Sequence, residues 1–138
     1  MIVRRILVGL TANHTETRPD HRDPSLRGRQ YAVPFQAVWD AVEGEARARL
    51  QEVETDATEG RISGEARTRL FRFVDDVEIR VTLDPEGWTR VDLTSSSRVG
   101  ASDLGTNRRR IVRFLRRLDR RLEANGWNAR SPTEAATP

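Results

Sequence analysis

The chain has 138 residues, with 24 basic and 21 acidic side chains and no cysteine. That length suits one domain with a sizeable core, and the lack of cysteine excludes a disulfide scaffold or a cysteine-bound zinc site. All of the basic residues are Arg, whose planar guanidinium binds carboxylates and phosphates in a bidentate manner that Lys cannot match. Because the net charge is only +3, the placement of the arginines matters more than their number.

The first ten residues are apolar apart from Arg4 and Arg5. A membrane-spanning helix needs about 20 apolar residues, and a secretory signal needs a longer apolar centre followed by a small-residue cleavage site. We therefore expect a terminal strand over residues 2–8 or a docked arm, no transmembrane segment, and a cytoplasmic protein.

Residues 11–28 combine Thr, Asp, Pro, His and Arg without an apolar period, which predicts a loop. Together with the preceding segment they form an N-terminal arm and loop over residues 1–28. His14 and His21 lie here among acidic residues, but their spacing matches no metal-binding motif. The sequence predicts neither a metal site nor a cofactor.

A single α+β domain is predicted over residues 29–124. A short strand over residues 29–33 leads to Pro34, which suits the first turn of a helix. Apolar residues then recur at helical spacing as far as Leu50, which predicts a helix over residues 34–50 with one buried face.

Between residues 51 and 99 the apolar period changes to two, which is typical of strands. The clearest turn in this region is Asp84-Pro-Glu-Gly87, with Pro and Gly at the positions that a tight turn favours. Four consecutive strands joined by such turns predict an antiparallel meander.

A second helix is predicted to begin between residues 102 and 106 and to end at Ala124, because Asn125-Gly126 is a typical helix stop. Residues 125–138 form a polar tail. The fold class is therefore α+β, an antiparallel sheet of four to six strands in the order β-α-β-β-β-β-α, with the helices packed on one face.

The core face of the predicted sheet has small residues where Val, Ile or Leu would be usual. These residues are Gly64, Ala66, Thr68, Ser95 and Ser97. We favour close packing of neighbouring elements as the reason. The alternative is a small polar pocket under the C-terminal helix that is open to a ligand.

Three carboxylates, Asp75, Asp76 and Glu78, fall within four positions. With Arg98 they are the candidates for acid–base catalysis. Because side chains alternate along a strand, however, Asp76 and Glu78 should share one face and Asp75 the other. We favour neutralisation of these carboxylates by Arg side chains and assign no catalytic residue.

The segment over residues 95–111 brings glycines and hydroxyl side chains to the start of the second helix. Helix capping by Asp103 or by a hydroxyl is the favoured interpretation. An anion bound at this helix start with help from Arg98 and Arg108 is the alternative, which the charge of Asp103 would oppose.

The second helix carries an Arg face opposite its apolar residues. This face consists of Arg109, Arg113, Arg116, Arg117, Arg120 and Arg121. Residues 108–123 contain eight Arg and two acidic residues, a local charge of +6. Such asymmetry predicts either a solvated surface or contact with an acidic partner, a protein or a phosphate-bearing ligand. Since no aromatic residue lies on this face, contact would be with phosphates rather than bases.

Four blocks of sequence stand out together: residues 17–24 (TRPDHRDP), 29–34 (RQYAVP), 69–78 (RLFRFVDDVE) and 97–107 (SRVGASDLGTN), the last followed by Arg110-Ile111. Over about residues 17–122 the chain resembles a bacterial and plant family catalogued as domain of unknown function 1499. The resemblance implies no catalytic assignment. It draws attention to the residues that match the family's motifs, which are Phe73, Asp75, Asp76, Glu78, Ser97, Arg98, Asp103 and Asn107. We expect these residues to form one polar network between the sheet and the start of the second helix.

We interpret the chain as a small non-enzymatic binding module of unknown function, which acts through its Arg face or through the pocket under the C-terminal helix. An alternative is a hydrolase-like or isomerase-like enzyme built on Asp75, Asp76 and Glu78, which would require these groups to converge on an open cleft. A third hypothesis is a structural subunit that pairs through its sheet.

Overall fold

A computed structural model describes residues 14–68, 72–98 and 104–132 of the chain. The strand expected over residues 2–8 and the candidate helix cap Asp103 lie outside these ranges.

The centre of the domain is the predicted antiparallel meander. Its strands are β3 (Gln51–Asp56), β4 (Arg61–Arg67), β5 (Val74–Leu83) and β6 (Thr89–Ser97), each paired with the next. Side chains that alternate along these strands separate an apolar face from a charged face, as the period of two predicts. This confirms the predicted order of the four strands.

Two short strands extend the sheet along the outer edge of β6. β1 (His14–Glu16) pairs with residues 94–96, and β2 (Arg29–Tyr31) pairs with residues 89–91, which makes a sheet of six strands in the described part of the chain. β1 and the 3-10 turn Pro24–Leu26 lie in the segment for which a loop was predicted. A strand of three residues is too short to show a period, so only its pairing with β6 defines it.

Both helices, α1 (Phe35–Arg49) and α2 (Leu104–Ala124), pack on the apolar face of the sheet. The side chains that close the core have no solvent exposure: Val38, Val42 and Ala46 from α1, Ile111, Leu115, Leu118 and Leu122 from α2, and Ile62, Ile79 and Val91 from the sheet. The α+β fold class is confirmed. The amphipathic pattern of α2 therefore directs most of its arginines away from the core, whereas Arg110 contacts the buried Asp75.

Close packing accounts for one of the small residues on the core face. A Cβ atom at Gly64 would lie 2.9 Å from Cβ of Leu50 and 3.0 Å from its Cδ1. The residue that links α1 to β3 therefore occupies the space that a side chain on β4 would need.

Asp84 organises the turn between β5 and β6. Its Oδ1 accepts hydrogen bonds from the backbone N–H groups of Glu86 at 3.0 Å and Trp88 at 2.9 Å, and its Oδ2 accepts one from the Gln30 side chain. Partial removal from water raises the pKa of Asp84, but the hydrogen bonds from Gln30, Trp88 and Glu86 outweigh it and hold the pKa below its ordinary value of 3.8.

We expect Asp84→Ala to lower the melting temperature at neutral pH and to reduce its dependence on acid. Because the carboxyl has a lower pKa in the folded chain, its stabilising effect is present above about pH 4 and is lost as pH falls through the folded pKa. Thermal melts at about pH 7 and about pH 3 measure both effects. Glu59→Ala, which removes an exposed carboxylate from another turn, is the control, and equal acid sensitivity of Asp84→Ala and the unmodified chain would contradict the assignment.

Candidate functional site

Five polar side chains form a buried cluster on the core face of the sheet beneath the first turns of α2. Asp75 and Ser97 are register partners on β5 and β6, and Ser95 lies two positions along β6, so alternation turns all three toward the helix. Asn107 and Arg110 reach them from α2, three residues apart on one side of that helix. Of these, Asp75, Ser95 and Asn107 have no solvent exposure.

One nitrogen of Arg110 joins the buried cluster. Its Nη1 donates to Ser95 Oγ at 3.1 Å and to Asn107 Oδ1 at 3.0 Å, and it lies 2.8 Å from Asp75 Oδ2. Nη1 carries only two protons, and these are donated to Ser95 and Asn107. Its contact with the Asp75 carboxylate is therefore an ion pair without an aligned hydrogen bond. In the described part of the chain, neither oxygen of Asp75 has a hydrogen-bond partner. The carboxylate therefore depends on one cation for its compensation.

The serine hydroxyls of this cluster are bonded to protein. Ser95 Oγ donates to Asn107 Oδ1 at 2.7 Å, and Asn107 Nδ2 donates to Ser97 Oγ at 3.0 Å. The serine hydroxyls were the reason to consider a pocket under the C-terminal helix. Here they are bonded to a side chain of that helix. A buried hydroxyl needs such a partner, and Asn107 supplies it.

The other two candidate carboxylates lie on the outer, charged face of the sheet. Arg98 donates from Nε and Nη2 to the two oxygens of Asp76, at 3.0 and 2.8 Å, and its Nη2 lies 3.4 Å from Glu65. The hydrogen bonds to Asp76 raise the pKa of Arg98, against the opposing effect of its burial. Glu78 is paired with Arg80 at 3.3 Å.

The expected single polar network is therefore divided between the two faces of the sheet. Asp75, Ser97 and Asn107 belong to the buried cluster, whereas Asp76, Glu78 and Arg98 lie on the outer face. The ring of Phe73 is 37% exposed just before β5, and Asp103 is outside the described residues. Strand alternation causes this division, and it also separates the carboxylates that the enzyme hypothesis required to meet in one cleft.

Ion pairing divides the predicted Arg face as well. Arg121 donates from Nε and Nη2 to Glu45 Oε2 on α1, at 3.3 and 3.1 Å, so it joins the two helices. Arg109 donates to Thr106 Oγ1 at 3.4 Å. The remaining members, Arg113, Arg116, Arg117 and Arg120, have no hydrogen-bond or ion-pair partner among residues 14–68, 72–98 and 104–132. We call these four residues the Arg stripe.

A second concentration of charge lines a cleft of about 440 Å³ between β1, the 3-10 turn and the start of α2. Its basic residues are His14, Arg18, His21 and Arg108. Sequence reasoning considered the histidines only as metal ligands and did not connect them with Arg108, because residues so distant in the chain show no spacing pattern. Within the described ranges, no group of three or more His, Cys, Asp or Glu residues is arranged to hold a metal ion.

Comparison with known proteins identifies the family. The family model described as "Protein of unknown function (DUF1499)" matches residues 10–118, most of the chain. The chain belongs to the DUF1499 family. No match was found among curated proteins. Among solved structures, the chain is similar to TTHA0849 from Thermus thermophilus, with 14% sequence identity and a TM-score of 0.41, over 81% of this chain and 98% of that one.

The DUF1499 match contains both the buried cluster and the basic cleft, and it includes the Arg stripe except Arg120. The sequence resemblance to this family is confirmed. Since the family carries no assigned function, the activity of the chain has to be inferred from its own side chains. No helix within the described residues has the length and apolar character needed to cross a bilayer.

Proposed function

We propose that this DUF1499 domain is a binding module whose Arg stripe contacts the phosphates of a nucleic acid. The supporting observation is the contrast within α2. Of its four other arginines, those at positions 108, 110 and 121 are each paired with a carboxylate and Arg109 donates to Thr106, while the four of the stripe have no partner among the described residues.

The spacing of the stripe suits a row of phosphates. Residues 113, 116, 117 and 120 follow the i, i+3, i+4, i+7 pattern, so they share one side of the helix along about 10 Å of its length. Like charges at this spacing destabilise a helix by about 0.2–0.5 kcal/mol per pair. The stripe therefore opposes the stability of α2, and a bound polyanion would remove that repulsion.

A nucleic acid fits the stripe better than an acidic protein does. Protein interfaces usually centre on buried aromatic or apolar side chains, and the stripe has none. Interfaces with nucleic acids are polar and strongly positive, and Arg forms bidentate contacts with phosphate. Without aromatic side chains for stacking, the binding would depend on the backbone and not on base sequence. A cytoplasmic location, as expected from the sequence, would give the domain access to such a partner.

The test is fluorescence anisotropy with labelled duplexes of about 20 base pairs and unrelated sequences, at several salt concentrations. Four phosphate contacts predict a slope of log K against log salt near about −3.6, so the affinity should fall about 100-fold between about 50 and about 200 mM salt. The double variant Arg113→Glu/Arg117→Glu should lose detectable binding, because two contacts become repulsive.

The matched control is Arg72→Glu/Arg130→Glu, which makes the same change of charge at two exposed arginines away from the stripe. It should weaken binding by no more than about threefold, an effect of net charge alone. Circular dichroism should give the same spectrum for all three chains. Equal losses in the two double variants, salt-independent binding, or tighter binding to poly-glutamate than to the duplex would each overturn the proposal.

A further inference from the structure

We infer that the basic cleft is a second, separate site, which binds the phosphate group of a small phosphomonoester. The cleft has a volume of about 440 Å³, within the range of small-molecule sites, and it is open to solvent. The basic residues of the cleft come from β1, the loop that follows it, and the second turn of α2. Arg108 lies about a third of a turn around the helix from the centre of the Arg stripe, so the two surfaces are distinct.

Arg108 is held in place while part of its guanidinium remains available. Its Nε donates to Asp23 Oδ2 at 2.8 Å and its Nη2 donates to Ser25 Oγ at 2.9 Å. A guanidinium has five N–H groups in a rigid fork, so three are left for a ligand. Asp23 and Ser25 belong to the capped 3-10 turn, where the Asp23 carboxylate also accepts from the Ser25 backbone N–H at 3.0 Å.

Arg18 supplies a second cation without such a restraint. It lines the cleft, is exposed, and its side chain has no hydrogen bond or ion pair among the residues that the structure describes. Among the described residues, Glu16 is the carboxylate that lines the cleft, and it lies 3.4 Å from His14 Nε2. Since Asp23 balances Arg108, Arg18 is the cation of the described lining that has no carboxylate of its own, and an anion can take that place.

The two histidines contribute hydrogen-bond donors and acceptors. His21 Nδ1 accepts a hydrogen bond from the Asp23 backbone N–H at 3.0 Å, which leaves the proton of a neutral imidazole on Nε2. His14 Nδ1 is buried and has no partner among the described residues. Leu26 adds an apolar part of the lining for the body of the ligand.

The experiment uses the only two histidines of the chain as reporters, since both line the cleft. Ribose 5-phosphate is titrated into the full chain while the imidazole resonances of both histidines are followed by NMR, with ribose as the unphosphorylated comparison. Both imidazoles should shift and saturate with ribose 5-phosphate, and neither should shift with ribose. Inorganic phosphate should produce the same shifts with lower affinity, because it lacks the body of the ligand.

Arg18→Gln is the decisive variant, because removal of the Arg18 guanidinium breaks no hydrogen bond or ion pair among the described residues. It should weaken ribose 5-phosphate binding by about tenfold or more, the loss of one charge-assisted contact. Arg22→Gln, an exposed arginine in the same loop that does not line the cleft, should stay within about twofold, the effect of net charge alone. Unmoved imidazole resonances at millimolar ribose 5-phosphate, equal binding of ribose, or equal losses in the two variants would overturn the inference. Since neither variant alters the Arg stripe, this result is independent of nucleic-acid binding.

Discussion

Replacing Arg110 with Met is expected to destabilise the domain by about 3 kcal/mol, because a buried carboxylate loses its cation. The side chain of Arg110 is 19% exposed and that of Asp75 only 1%. Most of the lost stability therefore comes from leaving the buried Asp75 carboxylate without a cation. Ser95 and Asn107 lose a donor at the same time. Urea unfolding followed by circular dichroism measures the change in the free energy of unfolding.

A double-mutant cycle separates the ion pair from the packing of the Arg110 side chain. Asp75→Asn alone should cost about 1–2 kcal/mol, and Asp75→Asn/Arg110→Met should be more stable than Arg110→Met, since no buried charge remains uncompensated. Arg47→Met is the control, because it removes an exposed helix pair with Glu43, which is worth about 0.3–0.5 kcal/mol. If the double variant is the least stable chain, Arg110 does not stabilise the fold by compensating the buried charge of Asp75.

The Gly60→Ala substitution should cost about 3 kcal/mol, the second large effect. Gly60 has a φ of 66°, and a Cβ atom there would lie 2.3 Å from the carbonyl oxygen of Val81. The backbone would have to move to relieve this contact. The Val81 N–H donates to Gly60 O at 2.8 Å and ties the β3–β4 turn to β5, so the movement would disturb this hydrogen bond. That movement would disturb the strand on which Asp75 lies.

Gly87→Ala provides the matched control for this prediction. Gly87 has a φ of 82°, but a Cβ atom there would meet nothing within 4 Å. Its cost should be about 1 kcal/mol, the penalty for a left-handed conformation alone. Thermal and urea unfolding of both variants give the comparison, and a similar loss at the two glycines would show that the contact with Val81 is unimportant.

Much of this architecture could be predicted from the sequence because the relevant signals are local. The alternation over residues 51–99 predicts both the meander and the face of each side chain, including the separation of Asp75 from Asp76. The helical period likewise separates the apolar residues of α2 from its arginines. Each of these patterns depends only on backbone geometry within one element.

Tertiary structure alone decided which of these side chains have partners. Arg110 meets Asp75, and Arg121 meets Glu45, only because α2 crosses the sheet and α1 at a particular position. The same packing brings Arg108 to the turn that contains Asp23. Periodicity determines the face on which a side chain lies, whereas the partner it finds there depends on how distant segments approach each other. The Arg stripe and the basic cleft are therefore features of the tertiary structure, which no periodicity within α2 determines.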